Sequence, residues 1–267
     1  MLQRLIRFSI VSAYIVLVAC SSITEQSDRA PSSPKDVSAV PNAIPKDEPR
    51  SKYGNPASYK VLGKRYYTLA SSEGYHEKGI ASWYGAKFHG RRTSSGELYD
   101  MYAMTAAHKT LPLPTYVEVT NLSNGRKVIV KVNDRGPFHS NRLIDLSYSA
   151  AKQLGIMNKG TGMVEIRAIS AGETNMQAVA HVQQPVVDTQ VGLYLQVGAF
   201  STSTRAQQFK DKIQSQISDL VSIVPLVKPD GNLYRVRVGP LTTVEYGDSL
   251  ASHLLDLGFN DAHIVVE

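Results

Sequence analysis

Two stretches without any apolar period divide this chain. Residues 21–58 read SSITEQSDRAPSSPKDVSAVPNAIPKDEPRSKYGNPAS, and residues 171–190 read AGETNMQAVAHVQQPVVDTQ. The first is rich in Ser, Pro and charge, so it buries too little surface to offset its own ordering entropy. Elsewhere the periodicity is clear, and 267 residues with 42% hydrophobic content suffice for two small cores. The expected organisation is therefore a leader over 1–19, a disordered tether over 20–75, a first domain over 76–170, a linker over 171–191 and a second domain over 192–267.

The leader reads as an export signal. Arg4 and Arg7 precede an apolar run from Phe8 to Ala19, too short to cross a bilayer as a helix. Leu17, Val18 and Ala19 then meet Cys20, the only cysteine, and this resembles the lipobox of bacterial lipoproteins, in which cleavage makes Cys20 the acylated N-terminus. Each buried acyl methylene contributes ~0.8 kcal/mol, so several chains on one residue anchor stably. Ser21, rather than Asp, resembles lipoproteins sent on to the outer membrane. A single cysteine excludes a disulfide within the chain. The formal charge is +6, and removing Arg4 and Arg7 with the leader (6 − 2) leaves +4, which favours polyanionic surroundings without naming a partner.

The first domain reads as short strands and turns. GIASWYG (79–85), YVEVTNL (116–122) and KVIVKVND (127–134) carry β-branched and aromatic content with partial alternation, and SNGR (123–126) joins the last two as a hairpin. Ser147 caps a helix over YSAAKQL that Gly155 ends, LIDLS precedes it, and MVEIRAI (163–169) returns as a strand. Many short strands with one helix predict a small barrel.

The run from Gly79 to Gly155, with the motifs SWYG, GELYDM, TAAHKTLPLP and NDRGPF, resembles the rare lipoprotein A family, septal lytic transglycosylases of Gram-negative bacteria. The resemblance covers nearly the whole first domain. It implies a six-stranded double-psi β-barrel that cleaves the MurNAc-GlcNAc bond of peptidoglycan strands lacking stem peptides, with no metal or organic cofactor. Divisome or amidase cooperation would suit such an enzyme.

The residues suit that chemistry. Breaking a glycosidic bond needs a proton on the leaving oxygen and negative charge facing an oxocarbenium-like transition state, and carboxyl groups supply both. A lytic transglycosylase uses the sugar's own C6 hydroxyl in place of water, so one group gives and then regains a proton, leaving a 1,6-anhydromuramoyl end. The catalytic candidates are Glu97, Asp100, His108, Asp134 and Asp145. The family motif matches the first four position for position; Asp145 stands in a strand-to-helix context like an important aspartate of the related expansin barrels. Which of Asp134 and Asp145 protonates the bridge oxygen stays open at this level. Glu97 and Asp100 also fit turn chemistry, His108 a backbone-bonded loop histidine, Asp134 a turn carboxylate paired to Arg135, and Asp145 a helix-entry carboxylate. Trp83 and Tyr84 are candidates for stacking on sugars, against core packing, and Arg135 is a further substrate-binding candidate. Lys87, His89, Arg91 and Arg92 either meet lactyl carboxylates or face solvent. A metal held by His89, His108, His139 and Asp134 is the rival reading, disfavoured because no HxxxH spacing places two histidines on one helical face.

The second domain repeats one pattern twice. YLQVGAF (194–200) is a strand; Ser203 caps a helix with Ala206, Phe209, Ile213 and Ile217 on one face; and VSIVPLV (221–227) is a second strand. Asp230-Gly231 turn into LYRVRVGP, Thr242 and Glu245 form a capping box, and Leu250, Leu254 and Leu257 line a helix that Gly258 stops before AHIVV. This βαββαβ order, ferredoxin- or RNP-like, resembles a SPOR domain, a septal module whose sheet binds denuded glycan. The resemblance makes Tyr194, Gln196, Tyr234, Arg235 and Arg237 glycan-binding candidates, though strand alternation places part of such a set in the core. RNA-binding sheets share the arrangement. The export leader argues against nucleic acid.

Overall fold

The computed structural model describes residues 29–139, 141–173, 191–228 and 231–267. The leader, Cys20 and most of the 171–191 linker lie outside the described residues. Two strands come first, β1 (Ser58–Val61) and β2 (Lys64–Tyr67), paired as a hairpin. Six more follow: β3 (His76–Tyr84), β4 (Thr105–His108), β5 (Thr115–Asn121), β6 (Lys127–Asp134), β7 (Ile144–Ser147) and β8 (Gly162–Ile169). They close into a barrel in the order β3-β7-β4-β6-β5-β8, with β3–β7 and β4–β6 parallel and the other pairs antiparallel.

Alternation explains the closure. Val117 and Val119 of β5, Val128, Val130 and Val132 of β6, and Val164 and Ile166 of β8 are all buried together in the barrel core with Ile144 and Leu146 of β7. Each fully buried aliphatic side chain stabilises the fold by about 1.5–3 kcal/mol. The helix α1 (Tyr148–Leu154) begins where expected, with the Ser147 hydroxyl accepting from Ala150 N–H, and ends at Gly155 in the left-handed region (φ 81).

The second domain has β9 (Leu193–Phe200), α2 (Ser203–Gln214), β10 (Val221–Lys228), β11 (Gly231–Val238), α3 (Val244–Asp256) and β12 (His263–Val266). Its antiparallel sheet runs β10-β11-β9-β12, the βαββαβ arrangement read from the sequence. One face packs Leu195, Val197, Val236 and Val238 against Ala206, Ile213, Leu250 and Leu254. Both helix starts differ by one residue from expectation: Thr202, not Ser203, caps α2, and Thr243, not Thr242, caps α3. Adjacent hydroxyl residues look alike in sequence, and the extended backbone at one of them decides. Leu257 is half-exposed at the helix end rather than lining it.

The tether expected over 20–75 is corrected in its described part. From residue 29 onward the chain straps the barrel. Val37 is 1% exposed, in a cluster with Tyr84, Tyr99 and Tyr148. The Gln153 side chain donates to the carbonyls of Val37 and Val40, Ala43 N–H donates to Ile129 O, and Ser51 N–H donates to Leu113 O. Composition missed this because the strap needs no core of its own; it lays a few apolar anchors and its backbone onto a surface the barrel supplies.

Candidate active site

The barrel order brings two of the predicted carboxylates to either side of one strand. β4 lies between β6 and β7, and Ala107 is in register with Asp134 on one side and Asp145 on the other. Two strand spacings separate their backbones, roughly 10 Å. The turn after Asp134 folds across this gap: a Cβ on Gly136 would stand 3.8 Å from both Ala107 Cβ and Asp145 Oδ2. Asp134 Oδ1 accepts from Ser94 N–H (2.8 Å), the Ser94 hydroxyl (2.6 Å) and Arg135 N–H (2.7 Å). Asp145 Oδ1 accepts from the Ser82 hydroxyl of β3.

The other three predicted groups take different partners. Glu97 bonds Lys131 Nζ (2.9 Å) through one oxygen and Asn133 Nδ2 (2.7 Å) through the other, so it meets β6 just before Asp134. Asp100 accepts from Tyr102 N–H and lies 3.7 Å from His89 Nδ1, beside a shallow cavity of about 330 Å³ that Val37 of the strap also lines. Three residues of spacing do not place Glu97 and Asp100 on one contact, because residues 97–100 run as an extended return, with Thr93 N–H donating to Glu97 O and Tyr99 N–H to Arg91 O.

His108 is 2% exposed. Its Nδ1 accepts from Thr110 N–H (3.2 Å) and Leu111 N–H (3.0 Å), which puts the proton on Nε2, where it donates to Tyr75 Oη (3.1 Å); Tyr75 in turn donates to Glu77 (2.5 Å). Burial, with Lys109 and Arg135 adding to it, lowers the His108 pKa to about 3, so the ring is neutral at physiological pH. It positions rather than carries charge.

Two substrate-binding expectations for the barrel, Tyr84 and Arg135, are corrected, while Trp83 stays partly exposed. Tyr84 is 7% exposed and stacks on Tyr99 with centroids 4.1 Å apart, so no sugar can lie on its ring. Burial holds its phenol well above the usual range, with Tyr99 and the charges of Asp134 and Asp145 adding to the effect. Trp83 is half-buried and packs edge-on against Tyr148. Arg135 commits its partly buried guanidinium to backbone carbonyls. Nε and Nη2 donate to Gly54 O (2.9 and 2.7 Å), and Nη1 donates to His108 O (3.2 Å) and Leu111 O (2.5 Å). The expected side-chain pair of Asp134 with Arg135 does not form; only the backbone N–H of Arg135 reaches the carboxylate.

Residues the sequence did not single out complete the site. Ser94, in the TSSG run ahead of GELYDM, is Asp134's main donor, and Ser82, in SWYG, is Asp145's. Ser82 lies within SWYG and Ser94 two residues before GELYDM, so their hydroxyls were a usable signal. Lys109 lies under Asp145 and Glu77, its pKa lowered by burial, with Nζ donating to Arg142 O. Among the described residues no three His, Cys, Asp or Glu side chains converge as a metal site; His139 instead faces Asp248 of the second domain at 3.8 Å.

On the sheet face away from the helices, Tyr194 lies under the Arg237 guanidinium (5.2 Å), and Glu267 bonds both Arg235 (2.7 Å) and Arg237 (2.5 Å); at 4% exposure Arg237 is buried there, which corrects its reading as a glycan contact. Gln196 is the β9 partner of Arg237. Tyr234 is the exception: it packs with the helix-side core, opposite Phe200. Alternation along β11 puts it there, two and four residues from the core-facing Val236 and Val238.

Residues 76–166 match the lytic transglycolase family and residues 189–264 the SPOR domain family. An endolytic peptidoglycan transglycosylase RlpA of Pseudomonas aeruginosa (strain UCBPP-PA14) is 41% identical, over 82% of this chain and 78% of that protein. One from Vibrio cholerae serotype O1 is 37% identical, over 94% of this chain and 93% of that protein. The crystal structure of an RlpA SPOR domain from Pseudomonas aeruginosa is 30% identical, covering 28% of this chain and 97% of that one at a TM-score of 0.27. A closed six-stranded barrel that sets two carboxylates astride one strand, joined to a SPOR domain, thus belongs to the RlpA family of endolytic peptidoglycan transglycosylases.

Proposed function

We propose that this protein cleaves the MurNAc-GlcNAc bond of glycan strands that lack stem peptides, leaving 1,6-anhydroMurNAc ends, and that it does so at the division septum. The observation that carries the reading is the pair Asp134 and Asp145 flanking Ala107. Asp134 is the group assigned to give a proton to the bridge oxygen. All its described bonds fall on Oδ1, so Oδ2 has no donor among the described residues and is the atom assigned to the transfer. As the bond breaks, positive charge develops on the anomeric carbon, and the second carboxylate, Asp145, stabilises it. The deprotonated Asp134 then takes the C6 hydroxyl proton, and the C6 oxygen closes on the anomeric carbon. Glu97, on the same strand end, orients substrate through the Lys131 and Asn133 it holds.

The SPOR sheet holds the strand near the barrel through Tyr194, Gln196 and Arg235, with the buried Arg237 backing Tyr194, and Cys20, once acylated, retains the protein at the outer membrane facing the periplasm. Diffuse distribution of a fluorescent fusion, or the lack of lipid label on Cys20, would remove this placement. Mass spectrometry of digested denuded strands tests the reaction. Anhydro ends are expected; reducing ends would mean a hydrolase, and unchanged strands an expansin-like glycan binder without turnover.

A further inference from the structure

The strap does more than decorate the barrel. Its residues 48–55 contact the partners of both Asp134 and Glu97. Gly54 has φ +78, and a Cβ there would stand 2.7 Å from Ser94 O and 2.8 Å from Leu113 Cδ1, so only glycine lets the strap backbone lie against the loop that donates to Asp134. The Gly54 carbonyl takes two hydrogen bonds from Arg135. Asn55 fastens the same point: its Oδ1 accepts from Leu113 N–H (2.8 Å) and Arg135 Nη2 (3.3 Å), and its Nδ2 donates to Leu113 O (2.8 Å) and Ser51 O (3.0 Å). Six residues earlier, Glu48 bonds Lys131 Nζ (3.0 Å) on the side opposite Glu97 (2.9 Å) and accepts from the Tyr116 hydroxyl. Lys131 is therefore shared between a strap carboxylate and a candidate site carboxylate.

We propose that Glu48, Gly54 and Asn55 are positioning residues of the active site: the strap sets Arg135 and Lys131, and through them Asp134 and Glu97. The catalytic unit therefore begins upstream of the barrel's first strand. This rests on the reading of Asp134 given above. A segment that merely covered apolar surface would not spend its polar groups on the two cations nearest those carboxylates. The charged and titratable groups facing Glu48 are Lys46 of its own segment, Tyr116 of β5, Lys131 of β6 and, beyond the lysine, Glu97.

Full-length variants test the assignment with anhydro-product formation on denuded strands, read as kcat, KM and pH profile alongside Tm. Asn55→Ala is expected to lower kcat about 10- to 100-fold with KM within about twofold, as displaced catalytic groups do. Glu48→Gln removes one of the two negative charges that share Lys131, and the pH profile of kcat is expected to move about half a pH unit toward acid. Glu48→Asp, which keeps the charge, restores it. Should Asn55→Ala not fold, the Glu48 pair decides. A profile and kcat for Glu48→Gln that superimpose on wild type overturn the proposal, and so does a fall in Tm with an unchanged profile. Asp134→Asn is the control for the underlying reading: if it retains turnover, that reading has failed and the proposal falls with it.

Discussion

The barrel and the SPOR sheet each present arginines and tyrosines, and they use them in opposite ways. In the barrel, Arg135 is spent inward on the carbonyls of residues 54, 108 and 111, and Tyr84 is stacked on Tyr99. In the sheet, Tyr194 and Arg235 stay partly exposed, while Arg237, 4% exposed, is packed over Tyr194 and shares Glu267 with Arg235. Chemistry needs groups held by contacts from several directions, because an ill-placed proton donor loses rate steeply. Binding a repetitive strand tolerates a flat face with one restraint. The same residue types thus mark a built scaffold in one domain and a contact surface in the other.

The largest break between the two regions is expected at Asp134. Asp134→Asn keeps size and hydrogen-bonding reach but cannot give and regain a proton, so anhydro-product formation should fall by about 10²- to 10⁴-fold while pulldown on glycan through the sheet is unchanged. Near-normal turnover in that variant, with loss in Asp145→Asn, would hand the proton to Asp145.

A second difference concerns acid. His108 is neutral when folded, with its pKa lowered to about 3 against about 6.5 when unfolded. The unfolded chain binds the extra proton, so this contribution is complete above pH 6.5 and is lost as the pH falls toward 3; in full it is on the order of 4 kcal/mol. Denaturation of the barrel should therefore steepen below pH 6.5, and His108→Gln should flatten that slope. Equal slopes for the two proteins would remove His108 as the source.

The smallest effects sharpen the sheet. Tyr194→Ala should weaken glycan binding several-fold with little change in Tm, by loss of a stacking surface worth about 1 kcal/mol. Tyr234→Ala should do the reverse, costing about 1–2 kcal/mol of stability and leaving binding alone, since it packs with the helix-side core. Binding and Tm measured on both variants settle which face each tyrosine occupies; the opposite result would exchange their roles.

Much of this was legible in the linear chain. Most strands of the two domains, though not β1, β2 or β4, the Ser147 and Gly155 ends of α1, and the doubled βαβ pattern follow from local periodicity and capping, which act over a few residues. The motifs likewise mark where chemistry concentrates. What local pattern cannot carry is which side chains are turned inward. Trp83, Tyr84 and Arg135 were read as substrate contacts because a strand end and a loop mouth usually face solvent. A return of the chain at Tyr99 and a strap at Gly54 cover Tyr84 and Arg135 instead.

By itself, then, the sequence determined two domains, their element order and a short list of titratable groups, because hydrophobic period and turn chemistry are properties of neighbours. Tertiary structure alone decided that Asp134 and Asp145 face each other across Ala107, since that depends on β4 lying between β6 and β7. It also buried Arg237, 4% exposed, between Tyr194 and Glu267, which alternation along the strand does not reveal. And it made a working part of the barrel out of a stretch with no core of its own: residues 48–55 bond barrel residues 58 to 83 positions away, and long-range hydrogen bonds leave no period to read.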